Sequence, residues 1–533
     1  SNLINSNLKK YNMRKLLYIS LASAGIFLGS CSQDDFADAY RDPSKIEVTT
    51  VPKQFAGFLK VNFEDVIPSY WNYFTVLRST SLTYTQAHGF TNTTGRYIPG
   101  AATVYRWDRY YNFITQYREL EKAFAALSDA DKADSRIYTI ASTIYLYDHT
   151  QKMIDNYGDI PFSEAGKISM TGGDYTKAAA KYDSQTEIYA KMLDELKGFS
   201  TELNTLTLSL KVGVEFKNQD LINKGNLVMW KNYCNSLRLR ILNRVSGVST
   251  LAARANTEMA EIIAEGKIVD ENAENIAFRV YTQDTDLDTS GFFDALETSN
   301  NNIAPKPMID HMNANLDPRE QWLFEKGVNA TTYAGLDPSL TSGAQDQLIA
   351  DGKIAIYNRS VISRNDWLPG TLVNAAEMNL LLAEYYSRNG NGATARTYFE
   401  KAIRQSIEYY VRLGDKADDL TYKPTSEPTT AEINAYILKI NFAGATTAAA
   451  QLQLIAFQKY IHFNIMQADE AWAEQRRLKL PALTFMEDET SSVRKTPPTR
   501  WTYPTSESVY NTNNYNTVKD KDNLSTKIFW DVK

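Results

Sequence analysis

Cysteine is nearly absent: the 533 residues hold two, Cys31 and Cys234. One possible bridge cannot hold a chain of this length, so a disulfide-stapled scaffold is excluded. Histidine is almost as scarce, and His88, His149, His311 and His462 are widely separated and in no ligand spacing such as HExxH. A zinc or acid–base histidine site therefore lacks support. Cations are not in excess, with 57 Lys+Arg against 63 Asp+Glu and a net charge of −6. Nothing is available to neutralise a phosphate backbone, and nucleic acid is excluded as a partner. No GxSxG elbow or Walker loop occurs, and "GNGA" at Gly390 falls in the turn of a helix pair instead of after a strand. Asp155 and Asp159 in "IDNYGDIP" have no geometric reason to face each other across a sugar, and read as helix-end and turn residues. The apolar run from Leu16 to Leu28 falls short of the ~20 residues a bilayer-spanning helix needs, and no other segment is long enough.

What the chain does hold is aromatic surface: 12% of residues, including 33 tyrosines and 8 tryptophans. Rings with polar tips suit a binding surface and equally a wet helical core. Hydrophobic periodicity is helical throughout, in "VYRWDRYYNFITQYRELEKAFAAL" from Val104, "SRIYTIASTIYLYDHTQKMIDNY" from Ser135, "SQTEIYAKMLDELKGF" from Ser184 and one long run from Ala448 to Leu478. Ser184 precedes Glu187 by three residues, the spacing of a capping box. Trp230, Tyr233, Cys234, Leu237 and Ile241 share one apolar helix face, which predicts a buried thiol at Cys234. In "MNLLLAEYYSRNGNGATARTYFEKAI", Leu382, Ala383, Tyr386, Ala395, Phe399 and Ala402 fall at the offsets of a tetratricopeptide repeat. Small residues there let two antiparallel helices approach, while Tyr386 and Phe399 fill the space beside them. The usual terminal proline is missing, with Ile407 near its place, and the other helices match poorly. The expected fold is all-α, a degenerate tetratricopeptide-repeat helical scaffold with long irregular loops over 55–102, 276–374 and 480–533. Asp284, Asp286 and Asp288 in "DTDLDTSGFFDALE" stand at the alternate spacing that wraps oxygens around calcium, which makes a structural calcium the one cofactor to expect. Thr289 stands where an EF-hand needs glycine, and a solvated acidic loop is the plainer alternative.

The N-terminal stretch from Met13 reads as two cations, a short apolar run and the small residues Gly29 and Ser30, the pattern of a secretory signal peptide over 13–30. Leu28-Gly29-Ser30-Cys31 resembles the lipobox of bacterial lipoproteins, which makes Cys31 the expected lipidated first residue of the mature chain. Each buried acyl methylene contributes roughly 0.8 kcal/mol to such an anchor. Residues 31–45 are acidic and turn-rich and read as a lipidated flexible tether; 46–533 form the expected domain, and 1–12 are an extension ahead of the signal.

Several stretches together resemble the SusD/RagB family of outer-membrane lipoproteins from Bacteroidetes, most closely its SusD-like branch. They are "YGDIPFSEA" from Tyr157, "LVNAAEMNLLLAEYYSRNG", "EAWAEQRRLKLPAL", and "PPTRWTYPTSESVYNTNNY" with Arg500, Tyr503, Pro504, Glu507, Asn511 and Asn514. The resemblance implies a surface-exposed, lipid-anchored, non-catalytic binding protein of the outer membrane that delivers oligosaccharide or polysaccharide pieces to a SusC-like TonB-dependent transporter. Asp34 and Asp35 resemble the export signal that sends such lipoproteins to the outer leaflet. Sugars would stack on flat aromatic faces, and the loop aromatics Trp71, Tyr84, Tyr97, Trp322, Tyr333 and Trp367 are the candidate ligand contacts. Three alternatives stay open: peptides on the same scaffold, a cell-surface glycosidase, and a purely structural partner of the transporter.

Overall fold

The computed structural model describes residues 49–278 and 290–533. Cys31, its tether, and Asp284, Asp286 and Asp288 lie outside the described residues. Helix α1 (Val51–Val61) opens the scaffold because Phe55, Phe58 and Leu59 recur on one face and are buried. Phe58 stacks on Phe113 of α2 (Ala102–Ala125) at 4.4 Å and meets Tyr145 of α3 (Arg136–Tyr157) edge-on at 5.8 Å. Helix α4 (Gln185–Glu202) starts on the expected capping box, with both the Ser184 and the Glu187 side chains bonded back to the backbone. Then come α5 (Leu227–Arg244) and α6 (Ala252–Glu265), with Cys234 fully enclosed in α5, donating to the Leu196 carbonyl.

The repeat-like sequence folds as α7 (Ala375–Arg388) packed along α8 (Gly392–Asp415), with Ala383, Ala395 and Ala402 buried at the crossing. Phe399 fills the interior as expected, but Tyr386 is half-exposed and lies flat on Tyr398 at 5.4 Å. The run from Ala448 breaks into α9 (Ala448–Phe463) and α10 (Ala468–Leu478) at Asn464, whose φ of 28° no helix continues through. The Asn464 amide compensates by bonding the Tyr410 hydroxyl and the Ile461 carbonyl. The described residues are predominantly helical, with strands of two to four residues, which makes the fold all-α. The strands form antiparallel pairs, Ile160–Pro161 with Tyr182–Asp183, Ile276–Phe278 with Gly370–Val373, and Phe324–Glu325 with Ile356–Tyr357.

Charges sit at the centre of the helices, and they are paired. Arg240 of α5 reaches Glu377 of α7 at 2.7 Å and Asp148 of α3 at 3.1 Å, while Arg244 reaches Asp155 at 2.9 Å and Glu470 of α10 at 2.5 Å. Such buried ions are tolerated only when partnered, so the network fixes how these helices meet. The C-terminal residues close over it: Trp530 donates to Asp155 at 2.8 Å, Tyr503 donates to the Asp159 carbonyl at 2.6 Å, and Arg500 donates to the Tyr157 carbonyl. Gly158 is required at that turn, since its φ is +80° and an added Cβ would come 3.2 Å from Arg500 Nη1.

Val51–Lys533 form one compact unit. Among the described residues no helix is long and apolar enough to cross a membrane. The segments expected to be irregular carry short helices, including π-helical turns at Trp71–Leu77 and Arg359–Ser363 and an α-helix at Lys306–Asn315.

Candidate functional site

The turn Trp71–Leu77 is wound as a π-helix, a form often found at functional sites, and it divides its aromatics between two faces. Tyr73, Val76 and Leu77 face inward, with Tyr73 against Phe292 at 4.5 Å. Outward, Trp71 is 46% exposed and its neighbours Tyr70 and Tyr105 are also open to solvent. The rings form a continuous line: Tyr105 to Trp71 at 5.3 Å, Trp71 to Tyr70 at 6.1 Å, and Tyr70 stacked on Phe74 at 4.9 Å. The Arg78 guanidinium closes the line 4.2 Å above Phe74 and donates to the Phe74 carbonyl at 3.0 Å.

Arg78 also lines a polar cavity of about 600 Å³ with His88, Arg96, Asn300, Asn301 and Asp346, within the size range of small-molecule sites. Its walls are fixed. Gly89 donates to the Ile303 carbonyl at 2.7 Å, and any side chain there would meet Ile303, Leu336 and the Ala304 carbonyl below 3.0 Å. Gly95 donates to Asp488 at 2.6 Å, Arg96 donates to the Met486 carbonyl at 2.8 Å, and Asn92 donates to the Pro338 and Leu340 carbonyls at 2.8 Å. Burial and the adjacent Arg78 cation pull the His88 imidazole down to about 4, so it is neutral at pH 7 and meets the Thr83 hydroxyl at 3.2 Å. Flat apolar rings leading to a cavity with cationic and amide donors can grip a ring-shaped, hydroxyl-bearing molecule: the rings take its faces and the polar groups its edges.

Of the six aromatics expected at a ligand site, this surface uses Trp71. Three others are corrected by burial, because a stacking platform needs an open face. Tyr84 lies in the core against Trp472 at 5.2 Å. Tyr97 is enclosed with its hydroxyl donating to the Met486 carbonyl at 2.7 Å. Trp322 packs so tightly on Gly414 that a Cβ there would come 2.5 Å from its ring. Tyr333 is half-buried in a separate cavity of about 490 Å³, with Lys326 Nζ 5.4 Å from its ring centre, and half-buried Trp367 donates to Asp418 at 3.0 Å. Neither joins the line of rings. Tyr70, Phe74, Arg78 and Tyr105 were not anticipated, although the spacing of Tyr70, Phe74 and Arg78 places them on one helical face.

A family model described as "Starch-binding associating with outer membrane", SusD-like, matches residues 65–504. Solved structures share the fold. A chitin-binding SusD homologue from Flavobacterium johnsoniae is 20% identical, with 91% of this chain and 99% of that chain covered and a TM-score of 0.68. A SusD homologue from Bacteroides fragilis is 18% identical over 91% of this chain and 100% of its own, with a TM-score of 0.71. One from Parabacteroides distasonis is 18% identical over 91% and 98%, with a TM-score of 0.70. No curated protein matches. With the family match spanning most of the chain and the helical scaffold shared along its length, this protein belongs to the SusD-like family.

Proposed function

We propose that the protein is a non-catalytic outer-membrane surface lipoprotein, anchored through Cys31, that captures oligosaccharides and passes them to a SusC-like TonB-dependent transporter. The observation that carries this reading is the open line Tyr105, Trp71, Tyr70 and Phe74 ending at Arg78 on the rim of a polar cavity. The family description and the chitin-binding relatives support a glycan as the ligand. Among the described lining residues the cavity offers a single carboxylate, Asp346, where glycoside hydrolysis uses two, and this favours binding over cleavage.

Isothermal titration with chitohexaose, maltohexaose and a peptide panel tests the ligand. Heat is expected with an oligosaccharide, and Trp71→Ala is expected to weaken it about tenfold, which is about 1.4 kcal/mol. Heat with peptides alone overturns the glycan reading, and release of reducing sugar overturns the non-catalytic one. Purification from outer membranes without a co-purifying TonB-dependent barrel overturns the delivery role.

A further inference from the structure

A second aromatic surface stands apart from the first. Tyr175 is 80% exposed and Tyr510 is 86% exposed, and both line one groove of about 630 Å³. Half-buried Tyr111 of α2 lines the same groove, backed by the buried Trp107 with its ring 4.7 Å away. The small residues Ala178, Ala179 and Ala180 line it too, as does Gly166, where a Cβ would press within 3.0 Å of the Thr115 backbone.

The groove is braced. The Asn511 amide donates to the Ala180 carbonyl at 2.9 Å and to Glu507 at 3.2 Å, and Glu507 also accepts from the Tyr182 hydroxyl at 2.7 Å. These bonds join the 178–182 strip to the 507–511 strip. Tyr175 stands on a turn fixed by Asp174, which accepts from the Thr176 amide at 3.0 Å and the Thr176 hydroxyl at 2.6 Å. The exposed rings are therefore held out by formed structure.

Its chemistry is neutral and flat. Lys167 and Glu507 are the charged lining residues, one of each sign, so the groove selects no charged ligand. Aromatic faces with few polar groups and little bulk between them suit the apolar faces of pyranose rings, with the Glu507 carboxylate on the groove wall to accept from a hydroxyl.

The two surfaces are separate. Tyr105 belongs to the first and Trp107 to the second, two positions apart on α2. Residues so spaced point to opposite sides of a helix, so the sites stand back to back across α2.

We propose that the groove between Tyr175 and Tyr510 is a second binding site for neutral oligosaccharides, an inference that rests on the glycan reading above. Titration with chitohexaose and with maltohexaose tests it on the wild type, Trp71→Ala/Tyr105→Ala and Tyr175→Ala/Tyr510→Ala, with circular dichroism confirming that each variant is folded. The expected result is two sites per chain in the wild type and one in each double variant, the remaining site keeping its affinity within twofold. One wild-type site that Tyr175→Ala/Tyr510→Ala leaves unchanged overturns the second site while the glycan reading stands. Loss of all binding in Tyr175→Ala/Tyr510→Ala, with Trp71→Ala/Tyr105→Ala unaffected, upholds the groove and overturns the first site. No heat from either sugar with any of the three proteins overturns both.

Discussion

An indole open to water and an indole enclosed on every side do opposite work, and Trp71 and Trp322 are such a pair. Trp322→Ala leaves a cavity beside Gly414 and is expected to cost about 3–5 kcal/mol of stability, as is Tyr84→Ala beside Trp472. Urea unfolding checks this, and the folded fraction of each variant is expected to bind sugar with wild-type affinity. Weakened binding without lost stability would restore these residues to the ligand site. Cys234 makes a second residue-level case: burial pushes its thiol up to about 12. In a Cys31→Ser chain at pH 8, thiol reagents are expected to label Cys234 only after denaturant is added, since the thiolate is the reactive form. The type of each aromatic was legible in the sequence, but its exposure was not. Burial depends on which distant helix lies opposite, and Trp322 is enclosed by Gly414, far along the chain.

Elements with a strong local cause were the legible ones. The 3.6-residue period and the Ser184 to Glu187 spacing led directly to α2, α3 and α4, and Ser184→Ala is expected to cost about 1 kcal/mol, read as a shift in the thermal midpoint. The break at Asn464 was hidden because the apolar pattern continues through it, and its stabilising partner Tyr410 belongs to α8. The π-helical turn at Trp71–Leu77 was hidden for a related reason: its inward face is paid for by contacts such as Phe292, which lies over two hundred residues later. Helix α2 carries aromatics on both sides, Tyr105 on one and Trp107 and Tyr111 on the other. A polymer engaging both surfaces gains avidity, so on a gel containing insoluble glycan the wild type is expected to be retarded far more than either double variant. Wild-type retardation no greater than that of the stronger double variant would count against simultaneous engagement.

At the scale of the whole molecule, acid is expected to weaken the fold. Burial holds His88 and His311 down to about 4 and His462 to about 3, and drives His149 well below its ordinary value. An unfolded imidazole titrates near pH 6.5, so the unfolded chain takes up protons that the native one refuses. Stability is full above pH 6.5 and falls as the pH drops towards 4, by up to about 1.4 kcal/mol per pH unit for each histidine. Glu320 acts in the opposite direction: burial raises its carboxyl to about 7, and the resulting contribution is present below pH 4.5 and lost as the pH rises through 7. Burial also raises the Asp108, Asp155 and Glu470 carboxyls, whereas neighbouring cations hold Asp148, Glu384 and Glu474 below their ordinary values and act with the four histidines, so the urea midpoint is expected to be lower at pH 5 than at pH 7.5. An unchanged or higher midpoint would show that the imidazoles ionise within the fold.

The closure of the core by Trp501, Tyr503 and Trp530 has a consequence for timing. Trp530 meets Asp155 across a sequence separation of 375, and Arg500 reaches back 343 residues to Tyr157. The centre of the molecule therefore waits for pieces that a ribosome makes hundreds of residues after the helices they cover. A chain cut after residue 496 is expected to keep its far-ultraviolet signal and lose its near-ultraviolet one, the mark of helices without fixed packing. On this ordering the helices are expected to stay without fixed packing until Trp530 has been made.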